Sequence, residues 1–207
     1  MHLPSPPPDR RRRGAALEDE LLAAAWEVLR ESGYAGFTLD AVARQAGTSR
    51  PVIARRWTSR NDLVKAAIAH AAAARPVPMP DTGSLRGDLI ACMRAFNDAR
   101  FDFATMLGVQ FGGYYQETGE TLADLRDVML GGRDPVIHKV FAAAAERGEI
   151  DPSRLTPWIQ SLPVALLSYE IHSTLRPMRD EDIDEIVDTI VLPLVRPAGA
   201  AGGEGQG

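Results

Sequence analysis

The chain has 207 residues, a formal net charge of −5, one cysteine and 45% hydrophobic residues. This length allows one domain or two small ones, and it can bury a core without disulfides. The single cysteine, Cys92, excludes an internal disulfide framework and any multi-cysteine zinc or iron–sulfur site.

The charge is unevenly distributed along the chain. Residues 1–70 carry 11 basic and 8 acidic side chains, a net charge of +3, whereas residues 71–207 carry 12 and 20, a net charge of −8. Such asymmetry between the two parts of a chain is typical of proteins that contact nucleic acid. The acidic total therefore does not exclude DNA as a partner.

The two ends of the chain have the composition of disordered segments. Residues 1–13 combine four prolines with Arg10–Arg13, which predicts a disordered basic arm. Residues 197–207 form a tail rich in glycine and alanine, which we also predict to be disordered. No apolar segment long enough for a secretory signal or a membrane span follows the arginines, so we expect a cytoplasmic protein that does not interact with membranes.

Apolar residues at helical spacing predict four helices before residue 76. The first helix ends near Ser32-Gly33, and Thr38, Ser49 and Ser59 are the expected N-caps of the next three. A proline-rich stretch at 76–80 then breaks the pattern. We therefore predict one domain over residues 14–75 and a second over residues 84–196.

The second domain is also helical throughout. Asp180 is the expected N-cap of its last helix, where apolar residues from Ile183 to Leu194 lie at helical spacing. No strand-like alternation is present, so we predict an all-α fold with about nine helices. The runs assigned to helices in this domain are 84–96, 103–115, 122–129, 136–148, 157–175 and 180–194.

Two short helices separated by a tight turn form the most informative segment. Ala43 lies four residues before Gly47, so a small side chain faces the turn and permits a close approach of the next helix. Gly47 provides the positive φ that a sharp turn needs, and Val52 and Ile53 can fill the contact. This is the arrangement of a helix-turn-helix, which presents its second helix to the major groove of DNA.

The segment "GYAGFTLDAVARQAGTSRPVIARRWTSRNDLVKAAI" resembles the DNA-binding domain of the TetR/AcrR family of transcriptional repressors. The resemblance extends over residues 16–68 and includes a Gly-aromatic lead-in, a Thr-initiated second helix, the Ala-Gly turn and a recognition helix that ends in an aromatic residue. It implies nine helices, a homodimer, and a divergent C-terminal domain that binds a ligand.

The resemblance also implies DNA contacts, which we assign residue by residue. Trp57 stands where the family has an aromatic residue, which implies a DNA contact, although its ring could serve packing alone. Arg60 stands where the family has a lysine that binds phosphate. Ala54-Arg55 departs from the family's usual tyrosine, so Arg55 or Arg56 is expected to replace its phosphate contact. The predicted DNA-binding residues are Thr38, Thr48, Ser49, Arg50, Ala54, Arg55, Arg56, Trp57 and Arg60, with Arg12 and Arg13 of the arm.

Two further sets of residues are expected in the second domain. Polar groups among large apolar side chains favour a pocket for a small, largely apolar ligand, although these side chains could equally be ordinary core. The candidate ligand-binding residues are Met93, Phe96, Phe103, Met106, Gln110, Tyr114, Trp158 and His172. The last two helices are expected to pair between protomers as a four-helix bundle through Leu166, Tyr169, Ile183, Ile186, Ile190 and Leu194.

We therefore expect a homodimeric regulator that binds a palindromic operator in double-stranded DNA and is released by a small effector. Two alternatives remain open, a helical enzyme and a helical interaction protein that does not bind DNA. The sequence has no phosphate-binding loop, HExxH motif or nucleophile elbow, which argues against an enzyme. We predict no cofactor, and the spacing of His138 and His172 does not indicate a metal site.

Overall fold

The computed structural model describes residues 8–196, with side chains from residue 14 onwards, and these residues are helical without a β-strand. The all-α prediction is confirmed. The α-helices are α1 Pro8–Gly36, α2 Leu39–Gln45, α3 Arg50–Ala54, α4 Arg60–Ala74, α5 Leu85–Val109, α6 Gly112–Thr118, α7 Leu122–Leu130, α8 Val136–Glu146, α9 Pro157–Thr174, α10 Asp180–Glu185 and α11 Leu192–Val195.

A π-helical segment, Ile186–Val191, joins α10 to α11 without leaving helical backbone geometry. We call the continuous stretch 180–195 the terminal helix. With this stretch counted as one helix, the described residues contain ten α-helices, close to the nine expected, and a 3-10 turn at Pro152–Arg154.

Several predicted helix limits differ from the structure, and the helix predicted over 84–96 continues to Val109. α1 begins at Pro8, so residues 8–13, predicted to be disordered, have a helical backbone; proline is well tolerated in the first turn of a helix because its missing N–H has no partner there. The run predicted over 103–115 is divided, since α5 ends at Val109 and a separate helix, α6, begins at Gly112.

The described chain forms two compact units, one of which is discontinuous in sequence. The first contains the N-terminal residues up to Arg75 together with residues 106–132, and the second contains residues 76–105 and those from 133 onwards. α5 crosses the sequence boundary between them. The segment 106–132, which we had placed in the second domain, therefore lies in the same compact unit as the helix-turn-helix.

In the first unit, α1 and α4 pack together around the buried aliphatic side chains Leu21, Leu29, Leu63 and Ile68. Trp26 is buried among them. Each helix buries one stripe and leaves the opposite side to solvent. The buried positions of the two stripes are 21, 22, 25, 26, 28 and 29 in α1 and 63, 64, 67, 68, 71 and 72 in α4. α1 also packs against α2, which in turn packs against α3, so the α1–α4 pair positions both short helices.

In the second unit, α5, α8, α9 and the terminal helix share one hydrophobic core that includes Cys92, Met93 and Phe141. Burial raises the pKa of the Cys92 thiol to about 11, which keeps it protonated at neutral pH. None of the described helices has the length and apolar composition needed to cross a membrane.

Candidate nucleic-acid interface

The turn between α2 and α3 has the geometry that its residues predict. The Thr38 hydroxyl accepts a hydrogen bond of 3.0 Å from the Ala41 amide, which confirms Thr38 as the N-cap of α2. Gly47 has a φ of +61°, and the Thr48 amide donates to the Ala43 carbonyl at 2.9 Å. The turn at Gly47 and the Thr48–Ala43 hydrogen bond end α2 and lead the chain directly into α3.

α3 is held to the unit by two apolar side chains. Ile53 is fully buried and Trp57 is 9% exposed, while the Trp57 amide donates to the Ile53 carbonyl at 3.1 Å. The burial of the indole ring favours its packing role over the predicted DNA contact. A helix of five residues is not stable alone, so this anchoring fixes the orientation of its other side.

The outward side of α3 is basic. Arg50, Ala54, Arg55 and Arg56 are exposed, and among the described residues neither Arg55 nor Arg56 forms an ion pair. Ser49 takes the N-cap position, but its hydroxyl does not make the capping hydrogen bond, and Thr48 is half-buried beside it. The structure thus places five of the predicted DNA-binding residues at the accessible surface around α3.

One acidic residue lies against this surface. A carboxylate oxygen of Asp40 on α2 is 3.5 Å from the Arg50 guanidinium, and both side chains are largely exposed. Exposed pairs of this kind are weak, so Arg50 can exchange Asp40 for another acceptor.

Arg60, the predicted phosphate ligand at the start of α4, is instead directed into the unit. Its Nη2 donates to the Tyr34 carbonyl, and its guanidinium carbon lies 3.8 Å from the centre of the Tyr34 ring. Its Nη1 is 3.6 Å from a carboxylate oxygen of Glu117 on α6. The contact with Glu117 links residues far apart in sequence, and no local pattern indicates it.

The start of α4 is otherwise built as predicted. The Ser59 hydroxyl accepts from the Asp62 amide at 3.0 Å, and the Asp62 carboxylate accepts from the Ser59 amide at 3.1 Å, a reciprocal capping box. Hydrogen bonds from Thr58 and Ser59 hold the pKa of Asp62 below its ordinary value. Arg12 and Arg13 lie in the helical backbone of α1, but their side chains are outside the described residues.

Tyr114, a predicted ligand-binding residue, lies in the first unit. It is fully buried, its ring meets that of Tyr34 edge-on at 5.2 Å, and its hydroxyl donates to Glu120 at 2.5 Å. Glu120 also accepts from Lys65 at 2.6 Å. Burial and the Glu120 carboxylate raise the pKa of Tyr114, so its hydroxyl remains a hydrogen-bond donor.

Gly33 interrupts α1 immediately before Tyr34. Its φ of +60° is not helical, and a Cβ built there would lie 2.9 Å from Oε1 of Gln110 and 3.2 Å from its Cβ. The left-handed backbone therefore favours glycine here, and a Cβ would in addition require Gln110 to shift. Gln110, predicted to contact a ligand, is exposed and lies against this bend.

The other predicted ligand-binding residues have diverse surroundings. Met93 and Phe103 lie in the interior of the second unit and Met106 in that of the first, whereas Trp158 is 85% exposed. Phe96 is partly buried, and Nε2 of His172 is 3.0 Å from the Ala104 carbonyl. The predicted set is thus divided between two compact units and does not form a single pocket within either.

Two open surface cavities among the described residues have linings that include none of the predicted ligand-binding residues. One, of about 370 Å³, lies in the first unit beside Trp26, Gln45 and His70. The other, of about 300 Å³, lies in the second unit beside Glu170 and Asp182.

The predicted dimer surface is accessible in part. Tyr169, Ile190 and Leu194 are 69%, 39% and 37% exposed, and Leu166 and Ile186 are half-buried. The assignment of Ile183 to the interface is wrong, because its side chain is fully buried in the core of its own unit. Buried residues of the terminal helix recur at 183, 187, 191 and 195, a spacing of four that the wide π turn keeps on one face.

Comparison with known proteins agrees with this architecture. Residues 21–67 match the family model "Bacterial regulatory proteins, tetR family", and residues 79–190 match "Tetracyclin repressor-like, C-terminal domain". A DNA-binding transcriptional repressor TetR of Mycobacteroides abscessus is 33% identical over 89% of this chain and 97% of its own length. A helix-turn-helix transcriptional regulator of Mycobacterium tuberculosis is 30% identical over 88% and 90%.

Among solved structures, a TetR transcriptional regulator from Chloroflexus aurantiacus superposes with a TM-score of 0.63 at 20% sequence identity. The match covers 90% of this chain and 100% of that chain, and it shows a similar fold. The helix-turn-helix with its basic outer face and the second helical region define a DNA-binding transcriptional regulator. The chain belongs to the tetR family of bacterial regulatory proteins, as the two family matches and the relatives show.

Replacing Gly33 with alanine tests the bend that precedes Tyr34. We expect Gly33→Ala to lower the free energy of unfolding by at least about 1–2 kcal/mol, because alanine disfavours a left-handed backbone and its Cβ would displace Gln110. Urea unfolding measures the change. Gly112→Ala is the control, since a Cβ at Gly112 meets open space at an ordinary φ. Equal effects of the two substitutions would contradict the role of Gly33.

Proposed function

We propose that the protein is a homodimeric repressor that binds a palindromic operator and is released by a small, largely apolar ligand. The observation that carries the proposal is the two-sided character of α3 and the three residues after it, a segment that buries Ile53 and Trp57 and exposes Arg50, Arg55 and Arg56. A short helix fixed by its apolar side and basic on the other fits the major groove of DNA.

The exposed residues around α3 can divide the work of recognition between them. Arginine forms paired hydrogen bonds with the edge of guanine or with a phosphate, so Arg50 and Arg55 can serve either purpose. Thr38 and Ser49 present hydroxyl groups at the surface, where they can bind phosphates and fix the register of the protein on the duplex. The 207-residue chain has a net charge of −5, yet this surface is basic, and binding depends on the local charge.

The homodimer rests on exposed apolar residues of α9 and the terminal helix. Tyr169, Ile190 and Leu194 are large side chains that a monomer would leave in water. Two helices from each protomer would form a four-helix bundle, and twofold symmetry would then require a palindromic operator. The repressor activity in the name of the Mycobacteroides abscessus relative supports repression as the outcome of binding.

Effector binding would act by shifting a population between DNA-binding and non-binding conformations. Met93 and Phe103, with the partly buried Phe96 and His172, remain candidates for effector contact in the second unit. Their apolar character supports a ligand of low polarity. The composition of this group is the support for the apolar effector, since neither of the two cavities described above is lined by it.

Substituting the two arginines separately distinguishes their roles. We expect Arg50→Ala and Arg55→Ala each to weaken DNA binding, measured by fluorescence anisotropy over a range of salt concentrations. Loss of a phosphate contact reduces the steepness of the salt dependence by about one charge, whereas loss of a base contact costs about 1–3 kcal/mol and relaxes sequence preference. Lys139→Ala, an exposed change of the same charge on α8, should have little effect. Normal binding by both arginine variants would contradict the proposed interface.

The homodimer is tested at its exposed apolar surface. We expect Ile190→Asp to reduce the mass in solution from that of a dimer to that of a monomer, because a carboxylate buried between protomers would be unpaired. Analytical ultracentrifugation measures the mass. Met79→Asp is the control, since Met79 is 46% exposed but lies outside α9 and the terminal helix. A dimer that survives Ile190→Asp would exclude this interface.

A further inference from the structure

The Arg60 side chain is held in place by contacts within the first unit. It is the first residue of α4, and its side chain is 31% exposed. Its guanidinium covers the face of the Tyr34 ring and donates to the Tyr34 carbonyl. A planar cation stacked on an aromatic face has its remaining donors directed around the ring edge, where an anion can reach them.

Glu117 provides that anion from within the same chain. Its carboxylate lies 3.6 Å from Nη1 of Arg60 and is half-exposed. Glu117 is positioned by α6, which is anchored three residues earlier by the fully buried Tyr114 against Tyr34. The carboxylate is therefore kept beside the guanidinium by packing, and its approach does not depend on the ion pair alone.

The pair is nevertheless loose. Arg86 and Asp188 in the second unit form two hydrogen bonds of 2.7 and 2.8 Å, whereas the Arg60–Glu117 ion pair has a separation of 3.6 Å, too long for a hydrogen bond. Nε of Arg60 is buried and has no hydrogen-bond partner among the described residues. Because the Arg60–Glu117 pair is partly exposed and lacks a hydrogen bond, a stronger acceptor can displace Glu117.

A phosphate is such an acceptor. Carboxylates and phosphates both accept paired hydrogen bonds from arginine, so they compete for the same guanidinium. Arg60 also directly follows the N-cap of α4 and lies three residues after Trp57, the aromatic residue that anchors α3. A duplex bound by α3 would come close to the start of α4.

We propose that Glu117 is an internal competitor for Arg60, an autoinhibitory contact that lowers the affinity of the helix-turn-helix for the DNA backbone. The inference rests on the proposed function and on the prediction, implied by the family resemblance, that Arg60 binds phosphate. Glu117 occupies the guanidinium in free protein, and a DNA phosphate must replace it. Because phosphate contacts are independent of base sequence, the contact changes overall affinity and leaves sequence preference unaltered.

A double-mutant cycle on a mixed-sequence DNA duplex tests this competition. Wild type, Glu117→Gln, Arg60→Ala and the double variant are compared by fluorescence anisotropy at one low salt concentration. We expect Glu117→Gln to raise affinity about two- to fivefold, the range set by the weak energies of exposed ion pairs. The same change in the Arg60→Ala background should leave affinity unaltered, because the residue released by the substitution is absent.

Two other patterns of affinity in the double-mutant cycle would overturn the inference. An equal gain in both backgrounds would show a general effect of charge on DNA and would overturn the inference, as would the absence of any gain in the wild-type background. Asp127→Asn, an exposed change on α7 that removes the same charge, should give less than the gain of Glu117→Gln.

A wild-type protein that does not bind DNA would overturn the proposed function itself. Glu117→Gln keeps the size and shape of the side chain, and thermal unfolding verifies that the variants are folded.

Discussion

The burial of Ile53 and Trp57 is the interaction on which the reading of DNA depends. α3 contains five residues, too few for a helix to be stable by itself in water. Its two apolar contacts provide the stability and also determine which side faces outward. Arg50, Arg55 and Arg56 are exposed because Ile53 and Trp57, on the other side of the same segment, are buried in the core.

The base under α3 is larger than a three-helix domain. Residues 106–132 belong to the same compact unit, and they contribute Tyr114, Glu117 and Glu120 to the surroundings of Tyr34, Arg60 and Lys65. Two carboxylates from this segment thus neutralise two cations of α4. The distribution of free positive charge on the unit is set by these contacts as much as by the sequence of the helix-turn-helix.

Local patterns predicted the helix-turn-helix well because its determinants lie close together in sequence. Thr38 and Ser59 were predicted as N-caps and are confirmed, since a capping bond joins residues three positions apart. Asp180 was predicted as the N-cap of the terminal helix, but Arg179 has that position and Asp180 begins the helix. A row of acidic residues at a helix start gives no signal that distinguishes neighbouring positions.

The surroundings of Tyr114, Glu117 and Ile183 could not be predicted in the same way. Tyr114 was expected near a ligand because it is a polar group among apolar ones, but its partner Tyr34 is distant in sequence. The apolar face of the terminal helix serves the core of its own unit through Ile183 and leaves Ile190 and Leu194 exposed, and helical spacing alone does not show which of its residues face the core. Both differences arise from tertiary contacts that periodicity does not report.

The proposed function requires that the outward face of α3 reads a symmetric site in DNA. The most direct test is the sequencing of genomic fragments retained by the purified full chain at a salt concentration that removes non-specific binding. We expect an enriched motif with inverted half-sites separated by about one turn of the duplex. Retention of fragments without a shared motif, or of a motif that lacks twofold symmetry, would contradict it.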